Sequence, residues 1–297
     1  MTAPRQVLPG TTYLFTRRCF QRTFLLVPSK ELNEVFGYLL AVSAERYGIV
    51  LHAYCVLSNH YHLILTDPYA QLPRFAQELH GNLARFLNAL HRRFESAWSP
   101  GSYSAVALQD EGAVLEKASY TLANPVAAGL VEQGRHWPGL WSDPKLIGGE
   151  GQIFERPDFF FDAEGEMPEE AVLAPVPPPG FTAGEFRKSL EARLASLERK
   201  HARNPDGTRR KFLGVKKVLA QHWWEHPGED APVGALNPKV AAVDKWKRIE
   251  ALDQAREFLD AYRVAFEKFR TGLRSVVFPP GTYLMRVSLG ATCVPAG

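Results

Sequence analysis

The sequence predicts an α+β fold. Three observations carry that reading. Short β-rich apolar runs alternate with amphipathic helical stretches over the first half of the chain. An acidic, Pro-rich segment follows. Beyond it, apolar residues recur mostly at helical spacing, with Lys and Arg beside them.

Residues 11–18 are β-rich and follow the turn signal Pro9-Gly10, which predicts a first strand. Leu32, Val35, Phe36, Leu39, Leu40 and Tyr47 are spaced for an amphipathic helix over residues 30–47, with Ser29 as its N-cap. Two nearly continuous apolar runs, 49–57 and 60–66, are split by Ser58-Asn59, a plausible hairpin loop, and belong in the middle of a sheet. A second helix is predicted over residues 72–94, with Phe75, Leu79, Leu83, Phe86, Leu87 and Leu90 as its buried stripe. Residues 103–108 can form a further strand. Residues 112–124 read as a third helix, ending near Asn124 because Pro125 disfavours helical geometry at the residue before it. Strand, helix, strand, strand, helix, strand is the ferredoxin-like order, with an antiparallel sheet.

Residues 1–148 are therefore expected as one unit, 149–180 as an acidic Pro-rich linker or loose wrap, and 181–297 as a mainly helical extension. Phe186, Leu190, Leu194 and Leu197 mark one face of a helix starting near Thr182, and residues 240–270 read as another long helix. Residues 209–224 are a basic amphipathic stretch. Residues 279–287 echo the start of the first strand and suggest a late strand returning to the structure. Charge is uneven. Residues 1–150 carry 13 Lys+Arg against 12 Asp+Glu, residues 151–180 carry 1 against 7, and residues 181–297 carry 21 against 13, so the formal charges are +1, −6 and +8. The last third is the more plausible footprint for a polyanion.

Two short stretches carry chemistry. In Leu57-Ser58-Asn59-His60-Tyr61-His62 the two histidines stand two apart in a predicted strand, so both project from one face and can hold a divalent metal. Histidines on a strand that merely fill surface or core are the bland alternative. In Tyr120-Thr121-Leu122-Ala123-Asn124-Pro125, Tyr120 and Asn124 are four apart on one helix face. A phenol is a candidate nucleophile and an amide oxygen a candidate metal ligand. A tyrosine packed on the core beside an Asn-Pro helix stop is the alternative.

Together these stretches resemble the HUH single-strand DNA nucleases, in which His-hydrophobic-His on a strand precedes a helix carrying a nucleophilic tyrosine. With the tail Asn124-Pro125-Val126-Ala127-Ala128-Gly129-Leu130-Val131 and the opening Pro9-Gly10-Thr11-Thr12-Tyr13-Leu14-Phe15-Thr16-Arg17-Arg18, the chain is most similar to the REP-associated tyrosine transposases of bacteria, over roughly residues 5–145. The resemblance implies an HUH domain that nicks and rejoins single-stranded DNA at hairpin sites through a covalent phosphotyrosine. It implies Tyr120 as nucleophile and His60, His62 and Asn124 as ligands of Mg²⁺ or Mn²⁺. Related insertion-sequence transposases carry glutamine where this chain and its likeness carry asparagine. Zinc is the default ion for histidines alone and stays open. Arg17, Arg18 and Arg22 at the end of the first strand, and Lys211, Lys216 and Lys217 in the basic stretch, are the candidates for DNA contact.

Nothing approaches a membrane-spanning run of apolar residues, and no secretory signal is evident at the start, so a cytoplasmic protein is expected. Cys19, Cys55 and Cys293 are too few and too scattered for a disulfide framework or a metal knuckle. The family likeness implies a monomer, although some single-tyrosine relatives pair as dimers that exchange tyrosine helices. Two other readings fit the same residues: a hairpin DNA- or RNA-binding protein that has lost catalysis, and an unrelated metal hydrolase in which Tyr120 is structural.

Overall fold

The structure, a computed structural model, describes residues 4–101, 103–162, 164–228 and 238–295. Strand β1 (Thr11–Arg18) leads through a short 3-10 turn into helix α1 (Lys30–Tyr47), whose first turn is capped by the Ser29 hydroxyl accepting from Leu32 N at 3.1 Å. Strands β2 (Val50–Leu57) and β3 (His60–Asp67) form a hairpin turning at Ser58-Asn59. Helix α2 (Leu72–Leu90), strand β4 (Ser104–Leu108) and helix α3 (Glu111–Ala127) follow. The four strands lie in the order β2-β3-β1-β4, every pair antiparallel, which is the ferredoxin-like sheet.

Alternation along β1 and β3 divides the core. Phe15, Tyr61, Leu63 and Leu65 face α1 and α2 and pack with Phe36, Leu39, Phe75 and Leu79. Leu14 and Ile64 face the other way and pack against Ala118 and Leu122 of α3. The tyrosine helix thus lies on the opposite face from the first two helices.

Residues 149–180, expected as a linker or wrap, carry a hairpin of strands β5 (Gln152–Glu155) and β6 (Glu170–Leu173) that packs on α1. Phe154, Ala171 and Leu173 are buried in the main core. Helix α4 (Ala183–His201), opened by a Thr182–Glu185 capping box, covers α3 with Phe186, Leu190 and Leu194. The extension is therefore built onto the sheet domain. Helix α5 (Val215–Leu219) precedes strand β7 (Val240–Ala241), which adds to the sheet parallel to β4. Helices α6 (Lys245–Arg270) and α7 (Leu284–Leu289) close the order. No helix among the described residues is long and apolar enough to cross a membrane.

Three local expectations are corrected, and the basic stretch takes its form. α2 stops at Leu90 rather than at Phe94: Arg92 is left-handed (φ 51) and Phe94 is 100% exposed, so a further turn would bury nothing. α3 runs through Pro125 to Ala127, held by burial of Leu122, Ala123 and Val126 and by the Trp141 indole donating to Leu122 O at 3.0 Å. Residues 209–224 are helical only in α5. Residues 279–287 form no strand. Thr282 makes a single bridge to Gln6, and the late strand that does join the sheet is β7.

Candidate active site

The hairpin register decides what surrounds the histidines. His60 pairs with Arg18 on β1 and Leu57 on β2, and His62 pairs with Thr16 and Cys55. Cross-strand partners share a face, so both imidazoles stand on the α3 side of the sheet. Their rings are 4.8 Å apart and nearly perpendicular (85°). Tyr120 meets them from α3, its ring 5.4 Å from that of His62 in an edge-to-face contact. Tyr120 remains 46% exposed, while His62 is buried. Within the chain, the helix that carries Tyr120 thus meets the strand that carries His60 and His62. Because α3 stays helical through Pro125, Asn124 keeps the face of Tyr120 one turn on, and it is buried there.

Each imidazole is held by its Nδ1. His62 Nδ1 lies 2.7 Å from Thr16 Oγ1. His60 Nδ1 lies 2.7 Å from Asn59 Oδ1, and the amide nitrogen of Asn59 donates to Arg22 O at 3.2 Å. With its NH₂ committed to that carbonyl, Asn59 offers only an acceptor. His60 therefore donates from Nδ1, and its Nε2 keeps a lone pair. Arg22 itself is left-handed (φ 62), as is Gln21 (φ 49), so the loop that orients Asn59 carries backbone strain. On His62, Nε2 is buried with no hydrogen-bond partner. An orphaned buried nitrogen is costly unless something else occupies it.

Both histidines are neutral at pH 7. Burial pulls His60 down to about 4, and the charges of Arg18 and Arg22 add to this. Burial, then His60, then Arg18, hold His62 well below the ordinary histidine value. Neutral imidazoles are the form a metal ion needs, and His60 presents its Nε2 lone pair. Among the described residues no third His, Cys, Asp or Glu joins them, so any further protein ligand has to come from a neutral group such as the Asn124 amide.

The other candidates separate. Arg18 is exposed at the end of β1, opposite His60. Arg22 lies on the loop that Asn59 anchors. Arg17 points to the α1/α2 face, where it donates to Gly101 O at 2.9 Å and sits 5.9 Å over the Trp98 ring, away from the histidines. Lys211, Lys216 and Lys217 are all exposed. The segment carrying them passes the site: Leu213 N and Gly214 N donate to Gly129 O and Leu130 O, both at 2.9 Å, just beyond α3. Val218 then packs with Cys55 and Leu57, the strand partners of His62 and His60. Arg210 closes the end of α3, donating to Ala127 O at 2.9 Å. That close approach needs Gly129 (φ 73), since a Cβ there would stand 2.8 Å from the guanidinium. Thr16 and Asn59 were not singled out by pattern. Their signals were alternation from His62's partner strand and adjacency to His60.

No family model matches the chain, and a search of curated proteins returns no match. Among solved structures, the chain is similar to a REP-associated tyrosine transposase bound to a REP hairpin, at 20% identity and a TM-score of 0.40, over 47% of this chain and 81% of that one. It is also similar to a proposed transposase from Deinococcus radiodurans R1, at 23% identity and a TM-score of 0.28, over 36% of this chain and 85% of that one.

Proposed function

We propose that the chain is a metal-dependent transposase-type enzyme that nicks and rejoins single-stranded DNA at hairpin sites, with Tyr120 as nucleophile. The observation that carries the reading is the edge-to-face contact of an accessible Tyr120 on a buried His62 whose Nε2 has no protein partner. A core tyrosine would be enclosed, and the buried His52 shows a histidine with both nitrogens partnered.

His60, His62 and Asn124 are the residues that would hold Mg²⁺ or Mn²⁺; such an ion supplies Lewis-acid polarisation of the scissile phosphate's oxygens. The chain's own residues do the rest. Asn59 and Thr16 fix the imidazoles by their Nδ1 atoms. Tyr120 Oη attacks phosphorus, a phosphotyrosine bond forms, and the bond to the 3′ oxygen breaks to leave a 3′-hydroxyl. The phenolic proton passes to solvent, which reaches Tyr120. Rejoining reverses these steps, with a 3′-hydroxyl displacing the tyrosine. Arg18 and Arg22 beside His60 place positive charge where the phosphate chain would run.

The test is incubation with hairpin oligonucleotides bearing single-stranded flanks, REP hairpins first, with Mn²⁺ and with chelator, followed by denaturing electrophoresis. A covalent protein–DNA band that needs metal, His60 and Tyr120 is expected. Cleavage unchanged in Tyr120→Phe would move the protein to an ordinary metal nuclease. Tight hairpin binding with neither cleavage nor adduct would leave a binding protein.

A further inference from the structure

Residues 221–225 form a locked turn at the histidine end of the sheet. Glu225 N donates to His222 O at 3.0 Å, and His222 N donates to the Glu225 carboxylate at 3.1 Å. Both ends are tied down. Ser58 Oγ donates to Gln221 Oε1 at 3.0 Å, and Phe24 N donates to Glu225 O at 2.9 Å. Ser58 is two residues before His60, and Phe24 is two residues after Arg22. Between these ties Trp223 stacks on His91 at 5.2 Å and 24°, which anchors the turn on the end of α2.

His222 and Trp224 are left outside. Their rings stack on each other at 4.5 Å and 9°, and Trp224 is 56% exposed. Burial does not account for a tryptophan held this way, because much of its surface stays in water. Rigidity and charge do point to an occupant. The stack is flat and preformed, so a further ring can add to it with little ordering cost. Exposed Lys216 and Lys217 precede it on α5, and Arg22 lies on the loop that binds the other end of the turn. An exposed aromatic stack in a segment that carries exposed lysines suits unpaired bases on a phosphate chain, since every base has a face to stack and paired bases within a duplex keep theirs covered.

We propose that the His222–Trp224 stack is a platform for unpaired bases of single-stranded DNA, gripping the strand beside the His60–Tyr120 site. The strand's destination rests on the nicking function proposed above; the stacking itself needs neither metal nor Tyr120.

The test uses the whole chain without added metal, and a single-stranded oligodeoxynucleotide carrying a fluorescent adenine analogue that stacking quenches. The same oligonucleotide in a blunt duplex is the comparison. Binding of the single strand quenches the analogue, and Trp224→Ala weakens that binding about tenfold, the scale of one lost base stack. Duplex binding is unchanged, and Trp224→Phe keeps most of the single-strand affinity. Equal single-strand affinity in wild type and Trp224→Ala overturns the platform, as does an equal loss for duplex. Should Trp224→Ala fail to fold, the wild-type signal and His222→Ala decide: no quenching, or quenching indifferent to His222, overturns it. The two readings fail separately. Trp224-dependent stacking in a protein that forms no Tyr120 adduct removes the nicking function and keeps the platform, and an intact adduct with no Trp224 dependence does the reverse.

Discussion

The two faces of β3 differ more than their burial suggests. On one face Tyr61 is enclosed among Phe15, Phe36 and Trp98, and its hydroxyl is 2.6 Å from His80 Nε2. On the other, His62 is just as deeply placed, yet only its Nδ1 is engaged. His52, elsewhere on the sheet, has both nitrogens partnered, by Val176 O and Thr66 Oγ1 at 2.8 Å each. Burial depresses His52 to about 4, His60 to about 4 and His80 to about 3. A depressed pKa therefore does not distinguish a site from a core. What sets His62 apart from these is an unpartnered ring nitrogen together with an accessible phenol beside it.

The sharpest way to break that comparison is to remove one group from each face. Tyr120→Phe abolishes the protein–DNA adduct while leaving the melting temperature unchanged, because the residue is 46% exposed and only a hydroxyl is removed. Tyr61→Phe does the converse: it leaves His80 without its partner and costs about 1–3 kcal/mol in chemical denaturation, with adduct formation per folded molecule retained. If the two variants behave alike, the faces are not functionally distinct.

A smaller effect tests the tautomer argument. Asn59→Ala frees His60 Nδ1 and weakens Mn²⁺ binding tenfold or somewhat more, read by calorimetry or Mn²⁺ paramagnetic resonance without DNA. Nitrogen NMR of the metal-free protein would show His60 protonated at Nδ1 in the wild type and mixed in the variant. Wild-type His60 protonated at Nε2 would sink the assignment.

A last test reads stability against pH. His52, His60 and His80 are neutral in the fold well below the ordinary histidine value of 6.5. The unfolded chain takes up protons there before the folded one does. Stability is thus full above pH 6.5 and is lost as pH falls towards about 4. Saturating Mn²⁺ steepens the melting-temperature loss, since protons then also compete for the ligands; a melting temperature flat over that window would contradict the burial of these rings.

Much of the sheet domain was legible in the sequence. The Ser29 cap, the apolar stripe of α1 and the paired runs around Ser58-Asn59 are local signals, and they stand where the pattern put them. Alternation alone placed His60 and His62 on one face, and the four-residue step alone placed Tyr120 with Asn124. Proline at position 125 misled, because packing on Leu122 and Val126 outweighed one missing donor. Composition alone did not show the hairpin in the charged, Pro-rich stretch after residue 148. Among its apolar side chains, Phe154, Ala171 and Leu173 are buried in the core, and Phe160, Phe161 and Met167 pack against it.

What the sequence determined by itself was therefore periodic: which residues share a face of a strand or a helix, and where turns fall. Only the tertiary structure decided which faces meet. It turned α3 onto the histidine side of the sheet, committed the Asn59 amide to a strained Arg22 carbonyl, left His62 Nε2 without a partner, and brought residues 209–225 from the basic extension to the edge of the site. Those relations join residues tens to more than a hundred positions apart. They arise from competition among many packings for the same buried surface, which no local spacing encodes.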